Sequence, residues 1–186
     1  MKFIIHGGTL SRSLQSISSV VPSGRTMPIL LNFLMEVENE ELKITASDLE
    51  TTITVKLNPS MLEQDQVNKI AIPAKMFLEV VNSLSSQQIT VEVKENYSVE
   101  ITAGTGRYKL VGEDPASYPT AIELSDPALT TISSSVLVKA IGKTLFATGT
   151  GEMRPQMTGV LCEQTHNETI FVATDAHKLV KYTRTD

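Results

Sequence analysis

Asp175 and His177 are the two side chains in this sequence whose type and spacing best fit chemistry. They lie two residues apart in the stretch FVATDAHKLVKY, and residues two apart on an extended strand point to the same face. A carboxylate beside an imidazole is typical of a general base pair or of two metal ligands. One hypothesis is therefore a metal hydrolase that uses these two residues.

An internal repeat favours a structural role for Asp175. A shift of 127 positions places ELKITASDLETTITV on ETIFVATDAHKLVKY, so that Asp175 corresponds to Asp48. Asp48 is followed two residues later by Glu50 and not by a histidine. The aspartate belongs to the repeat, whereas the histidine does not. We predict that both aspartates close a turn at a strand end by accepting hydrogen bonds from backbone N–H groups.

The other reactive side chains give little support to catalysis. His6 falls in the first predicted strand, His166 falls in a hairpin turn, and the single cysteine, Cys162, is expected to be a small strand residue. The sequence contains no serine-hydrolase elbow, no zinc-protease motif and no complete phosphate loop. We predict no catalytic residue, no metal site and no cofactor.

The elements that must position these residues follow from the same repeat. Apolar residues in helical spacing predict a helix over Thr9–Val20, followed by a Pro/Gly loop, the strand ILLNFLMEVE and a hairpin. A second helix is predicted to open at Pro73, and three strands follow it in QITVEVKENYSVEITAGTGRYKLVGED. The Pro-rich connector EDPASYPTAIELSDP leads to the second copy. Two helices with a set of antiparallel strands indicate an α+β fold.

Composition and charge limit the classes of function. No apolar run approaches a membrane span and the N-terminal apolar segment is too short for a secretory signal, so a cytoplasmic protein without a membrane role is expected. The net charge of −5 argues against tight binding of nucleic acid through bulk electrostatics. Residues 1–35 and 127–151 nevertheless contain no acid. Two basic segments of this kind indicate either solvated faces or surfaces that meet a polyanion.

Five segments, in this order, carry a resemblance to a known family: MKFIIHGGTLSRSLQSISSVVPSGRTMPILLNFLMEV, LKITASDLETTITV, IPAKMFLEVVNSL, GRYKLVGEDPASYP and VATDAHKL. The chain resembles the bacterial DNA polymerase III β subunit, the sliding clamp. The resemblance implies a DNA-clamp fold, in which repeated units of two helices pack on antiparallel sheets and the helices line a central hole. It also implies a first clamp domain at residues 1–122 and the N-terminal half of a second at 123–186, without the third.

The resemblance implies a non-catalytic processivity factor that encircles double-stranded DNA without reading its sequence. Such clamps tether the replicative polymerase, the clamp loader and repair proteins through short peptide motifs, and full-length clamps form a homodimeric ring. The residues implied to face DNA are Arg12, Arg25, Lys139, Lys143 and Arg154.

Two further surfaces are implied by the resemblance. The partner-peptide pocket corresponds to Met157, Thr174, Ala176, His177, Lys178 and Leu179, and the ring interface corresponds to Arg107, Tyr108 and Leu110. Ala176 stands where the family usually has glycine, and Pro155 and Gln156 replace paired aromatic residues after Arg154. The pocket is expected to be incomplete. The alternative function is a β-rich peptide-binding adaptor with no DNA role.

Overall fold

The computed structural model describes residues 1–24, 27–38, 41–63, 67–119, 129–151, 153–165 and 167–185. The chain divides into two compact units, Met1–Glu123 and Leu124–Asp186. Each unit packs helices on antiparallel strands. The α+β class predicted from the sequence is therefore confirmed.

The first unit contains two helices and nine strands among its described residues. Its strands form two antiparallel sheets, in the orders β5-β1-β7-β8-β9 and β4-β3-β2-β6. In chain order the elements are β1 (Lys2–His6), α1 (Gly7–Ser18), β2 (Asn32–Glu38), β3 (Glu41–Ser47), β4 (Thr52–Leu57), β5 (Met61–Glu63), β6 (Lys69–Pro73), α2 (Ala74–Ser83), β7 (Gln88–Val93), β8 (Ser98–Ala103) and β9 (Gly106–Val111).

The core of the first unit lies between the helices and the inner faces of the sheets. Leu10, Leu14 and Ile17, spaced along one face of α1, are fully buried, as are Phe77 and Val81 on α2. Alternate strand residues point into the same cluster. Burial of this apolar stripe holds α1 in place and leaves its opposite face exposed.

The predicted boundaries at both ends of α1 and at the start of β2 were wrong by a few residues, and α1 ends at Ser18 and not at Val20. Helix α1 begins at Gly7 and not at Thr9, because the His6 imidazole accepts a hydrogen bond from the N–H of Gly8 at 3.2 Å and so caps the helix. The predicted strand ILLNFLMEVE begins with a 3₁₀ turn, Pro28–Leu31, before β2. Proline at the first turn position favours this conformation.

The first unit consists of two halves with the same order of elements. One half is β1-α1-β2-β3-β4 and the other is β6-α2-β7-β8-β9. Each half gives its first strand to the sheet of the other, since β6 pairs with β2 and β1 pairs with β7. The registers agree: the last residue of each donated strand, Pro73 or His6, lies opposite the first residue of its partner strand, Asn32 or Gln88. The two halves are therefore related by an approximate twofold arrangement.

The described residues of the second unit repeat the part α1-β2-β3-β4 of the first unit. Its elements are α3 (Ser134–Thr144), β10 (Leu161–Gln164), β11 (Glu168–Thr174) and β12 (Leu179–Thr185), with the strands in that order in one antiparallel sheet. Helix α3 and strands β11 and β12 begin 127 residues after α1, β3 and β4. The strand register is also repeated, because the pair Leu34–Thr45 becomes Leu161–Val172. The predicted repeat is confirmed.

Candidate nucleic-acid interface and partner site

Asp175 closes the turn between β11 and β12. Its Oδ1 accepts hydrogen bonds from the backbone N–H groups of His177 and Lys178, both at 2.9 Å. The hydroxyl oxygen of Thr174 accepts a third bond, from the N–H of Ala176 at 3.1 Å. A strand end that turns within four residues exposes such N–H groups, and this Thr-Asp pair satisfies three of them.

The corresponding turn in the first unit is built in the same way. Oδ1 of Asp48 accepts bonds from the N–H groups of Glu50 at 3.0 Å and Thr51 at 2.6 Å. The Ser47 hydroxyl accepts from the N–H of Leu49 at 3.2 Å. The prediction that both aspartates close turns is therefore confirmed.

The surroundings of Asp175 do not suit a general base. The Lys178 ammonium pairs with Oδ2 and is the largest cause of a pKa for the Asp175 carboxyl that lies far below its ordinary range, with the two backbone N–H groups acting in the same direction. A carboxylate with so low a pKa binds a proton weakly. Within the described residues, no group of three or more His, Cys, Asp and Glu side chains is placed to hold a metal ion.

Ala176 holds the left-handed backbone conformation in this turn. Its φ is 76°, and its counterpart Leu49 has a φ of 81°. The repeated turn therefore has the same left-handed conformation at Ala176 and at Leu49. A residue with a Cβ atom is strained at such a φ.

Replacing Ala176 by glycine is expected to stabilise the second unit by up to about 1 kcal/mol. The left-handed conformation costs an ordinary side chain roughly 1–2 kcal/mol, and the larger entropy loss of glycine, about 0.5–1 kcal/mol, offsets part of the gain. Thermal unfolding measures the change, with Ala176→Val as the variant expected to lower the melting temperature. A melting temperature that falls in Ala176→Gly would show that the turn does not need this φ.

The residues of the predicted partner pocket fall into one turn and one neighbouring segment. Thr174 to Leu179 form the Asp175 turn, in which Leu179 is 66% exposed. Met157 ends a 3₁₀ turn, Pro155–Met157, and its carbonyl accepts a bond from the N–H of Gly149 at 2.8 Å. A Cβ atom added to Gly149 would lie 3.7 Å from the Cβ of Asp175. Gly149 thus links Met157 to the turn and brings the two segments together.

Three of the five basic residues predicted to face DNA lie on exposed helix surfaces. Arg12 on α1 is exposed, and its Nε donates to the carbonyl of Gly8 at 3.2 Å. Lys139 on α3 is exposed and lies 127 positions after Arg12, so the repeat places a basic side chain at the same point of both helices. Lys143, one turn further on, has its ammonium 5.3 Å from the centre of the Tyr182 ring.

Of the two remaining arginines of the predicted interface, the structure describes Arg154 alone. Arg154 is exposed and directly precedes the 3₁₀ turn Pro155–Met157. Arg25 lies outside the described residues, so the structure gives no position for its side chain.

Sequence reasoning missed Arg184 as a member of this surface. Arg184 lines a shallow hollow together with Lys139, Tyr182 and Ser135. It lies on β12, two residues from Tyr182, and the alternation of a strand places both on the face that α3 covers. Its counterpart in the first unit is Leu57, so the repeat contained no signal for a basic residue here.

The predicted ring interface lies on an edge strand. Strand β9 is at one end of its sheet, so one row of its backbone groups faces away from the sheet. Tyr108 is exposed, and the Nε of Arg107 lies 2.9 Å from a carboxylate oxygen of Glu100. Leu110 is only 5% exposed and packs into the core of the first unit. Its side chain points inward, and Val111 beside it is the exposed apolar residue.

Residues 1–122 match the family described as DNA polymerase III beta subunit, N-terminal domain, and residues 131–184 match the central domain of the same subunit. The chain belongs to the DNA polymerase III beta subunit family. Among the described residues, no helix of this family member has the length and apolar character to span a membrane.

Relatives of the beta subunit match nearly the whole chain. The beta sliding clamp of Staphylococcus aureus strain Mu50 is 29% identical over an alignment of 184 residues that covers 96% of this chain and 49% of that protein. The DNA polymerase sliding clamp of Bacillus subtilis covers 100% of this chain, at 28% identity and a TM-score of 0.89, and is matched over 50% of its own length. A Pseudomonas aeruginosa sliding clamp bound to griselimycin gives 28% identity and a TM-score of 0.91, with the same coverage.

These comparisons confirm the predicted clamp fold. The chain spans about half the length of the curated beta-subunit relatives that it matches.

Proposed function

We propose that this chain is part of a DNA sliding clamp, a non-catalytic processivity factor that holds a replicative polymerase on duplex DNA. It supplies a first clamp domain at residues 1–122 and the first half of a second at residues 123–186. The observation that carries the proposal is the paired placement of Arg12 and Lys139 at one position of two repeated helices, in segments without acids. Membership of the beta-subunit family supports the same function.

The proposed mechanism is topological. A closed ring around a duplex cannot leave it sideways, so only weak contacts with phosphates are needed, and such contacts do not read sequence. A chain with a net charge of −5 suits this role when its basic side chains are concentrated on a few helices. We assign Arg12, Arg25, Lys139, Lys143 and Arg154 to the DNA side of the ring and place the protein in the cytoplasm.

The partner site and the ring contact complete the proposal. Met157 and Leu179 supply an adaptable apolar surface, and His177 and Lys178 supply a polar rim, as expected of a site for short peptides of the polymerase, the clamp loader and repair proteins. A clamp of this family is bound to griselimycin, which supports a ligand site on such proteins. The exposed edge of β9 is assigned to pairing between subunits of a homodimeric ring.

Replacing Lys139 by glutamate is expected to weaken binding of the chain to duplex DNA at low salt. The logarithm of the binding constant falls as the logarithm of the salt concentration rises, and loss of one phosphate contact should reduce the magnitude of this negative slope by about 1. Lys109→Glu is the matched control, because Lys109 is exposed on β9 and its replacement changes the net charge equally. Fluorescence anisotropy over a salt series measures both.

An equal loss in Lys139→Glu and Lys109→Glu would contradict a defined DNA face. In the full-length clamp, charge reversal at Arg12 and Lys139 should reduce retention on circular DNA loaded by the clamp loader, and linearising the DNA should release the unaltered protein. Full activity in replication after both reversals would favour the peptide-binding adaptor.

A further inference from the structure

Glu79 is an exposed acid on one of the two helices that cover the core of the first unit. It lies on α2, one turn after the exposed Lys75. The other two described α-helices, α1 and α3, lie in the segments 1–35 and 127–151, which contain no acid. Among the described residues, α2 is therefore the only α-helix that carries a carboxylate.

The two halves of the first unit place Glu79 at the position of Arg12. Strand β1 and helix α1 begin 67 residues before β6 and α2. The same shift brings the buried residues of the two helices into phase, with Leu10, Leu14 and Ile17 falling on Phe77, Val81 and Leu84. Arg12 then corresponds to Glu79, and the repeat already relates Arg12 to Lys139. One exposed helix position thus carries a base on α1 and α3 and an acid on α2.

The exposed faces of α1 and α2 form one surface. The Ser11 hydroxyl and the Gln15 side-chain amide both donate to Oδ1 of Asn82, at 2.6 and 3.1 Å. Gln15 and Asn82 are equivalent in the two halves, and Arg12 and Glu79 each lie three residues before them. Residues three apart are neighbours on a helix surface. A duplex that passes over α1 at Arg12 therefore also passes close to Glu79.

The fold of the first unit does not account for an acid at this position. Among the described residues, Glu79 takes part in no ion pair. Lys75 precedes Glu79 by four residues, which is the less favourable order for a lysine and a glutamate on a helix. Glutamine forms helices about as well as glutamate. The negative charge itself is therefore what the position supplies.

We propose that Glu79 limits the affinity of this helix surface for duplex DNA and so keeps the clamp mobile on it. The inference rests on the proposed function, because it needs a duplex against α1 and α2. A ring that is held topologically does not need tight phosphate contacts, and each contact must break when the protein moves along the duplex. A carboxylate beside basic side chains repels the phosphates and weakens their attraction. Glu79 thus opposes Arg12 and Lys139.

Replacing Glu79 is expected to tighten binding of the whole 186-residue chain to duplex DNA at low salt. Glu79→Gln should tighten it about twofold, since a unit charge roughly 8 Å from a phosphate in water changes the binding constant by about this factor. Glu79→Lys adds a phosphate contact and should increase the magnitude of the negative salt slope by about 1.

Glu92→Gln and Glu92→Lys are the matched controls, because they change the net charge equally. Glu92 is exposed on β7 between the buried Val91 and Val93, so its side chain points away from the helices. Fluorescence anisotropy over a salt series compares these variants with Lys139→Glu. If Lys139→Glu weakens binding more than its own control and the Glu79 variants match the Glu92 variants, the clamp function stands and the role of Glu79 is wrong. If neither position differs from its control, the clamp function fails as well.

Sliding of the full-length clamp gives a second readout. On a long duplex with blocked ends, single-molecule tracking should show that Glu79→Lys lowers the one-dimensional diffusion coefficient at least about twofold, because each added phosphate contact must break during movement. Glu92→Lys should leave the coefficient unchanged. Glu79 is exposed, so the variant should keep its circular dichroism spectrum. Equal diffusion of the unaltered clamp and Glu79→Lys would overturn the proposal.

Discussion

Replacing Gly7 by alanine is expected to destabilise the first unit by about 3 kcal/mol or more. A Cβ atom at this position would lie 2.1 Å from the carbonyl oxygen and 2.9 Å from the carbonyl carbon of Leu84. Both atoms belong to the backbone at the end of α2, so no side-chain rotation removes the clash. Overpacking of a rigid core typically costs about 1–3 kcal/mol, and more when the backbone must move.

The position of Gly7 explains why the effect should be large. Its N–H donates to the carbonyl of Gln87 at 2.8 Å, which fixes the start of α1 against the segment after α2. Any shift that makes room for a methyl group breaks this bond or separates the two helices. Arg12 lies on the same helix, so the proposed DNA face would move as well.

Urea unfolding of the first unit measures the Gly7→Ala effect. Ser16→Ala is the control, because Ser16 is exposed on the same helix of the first unit, and it should change the free energy of unfolding by less than about 0.5 kcal/mol. A Gly7→Ala variant as stable as this control would mean that α1 and α2 do not approach as closely as described.

Truncating Tyr118 to alanine is expected to cost about 3–5 kcal/mol of stability, the range for removing a large buried aromatic ring. Tyr118 is 6% exposed and packs with Ile29, Leu30 and Ala71 in a second apolar cluster. This cluster explains the 3₁₀ turn that replaced the start of the predicted strand, because the turn directs Ile29 and Leu30 toward the tyrosine ring.

The hydroxyl of Tyr118 makes a smaller contribution that a second variant separates. It donates toward the carbonyl oxygens of Asn32 and Thr45, each at 3.4 Å. Tyr118→Phe keeps the ring and should cost only about 1 kcal/mol. Equal losses for the alanine and phenylalanine variants would show that the hydroxyl and not the ring carries the stability.

The same residue predicts a loss of stability at alkaline pH. Burial raises the pKa of Tyr118 to about 12, while a tyrosine in the unfolded chain titrates near 10. The folded state therefore favours the neutral phenol, and this stability is fully present below about pH 10 and is lost as the pH rises toward 12. Tyr118→Phe should lack this part of the pH dependence.

Much of the candidate site could be predicted because it is local or repeated. The Asp48 and Asp175 turns depend on residues within three positions of each aspartate. The shift of 127 positions that aligns the two copies of the repeat identified both turns. Leu110 was harder to interpret, because alternation along β9 leaves open which face meets the core until the partner strand is known. Arg184 was not predicted, because its position beside α3 depends on the packing of segments that are distant in the sequence.

The exchange of first strands in the first unit has a consequence for the order of folding. The neighbours of strand β1 in its sheet, β5 and β7, lie far along the chain from it, and Phe3 pairs with Val91. Such pairings raise the contact order, which slows folding because loop closure must precede the gain from contact. During synthesis, β1 therefore cannot take its place in the sheet until β7 has left the ribosome.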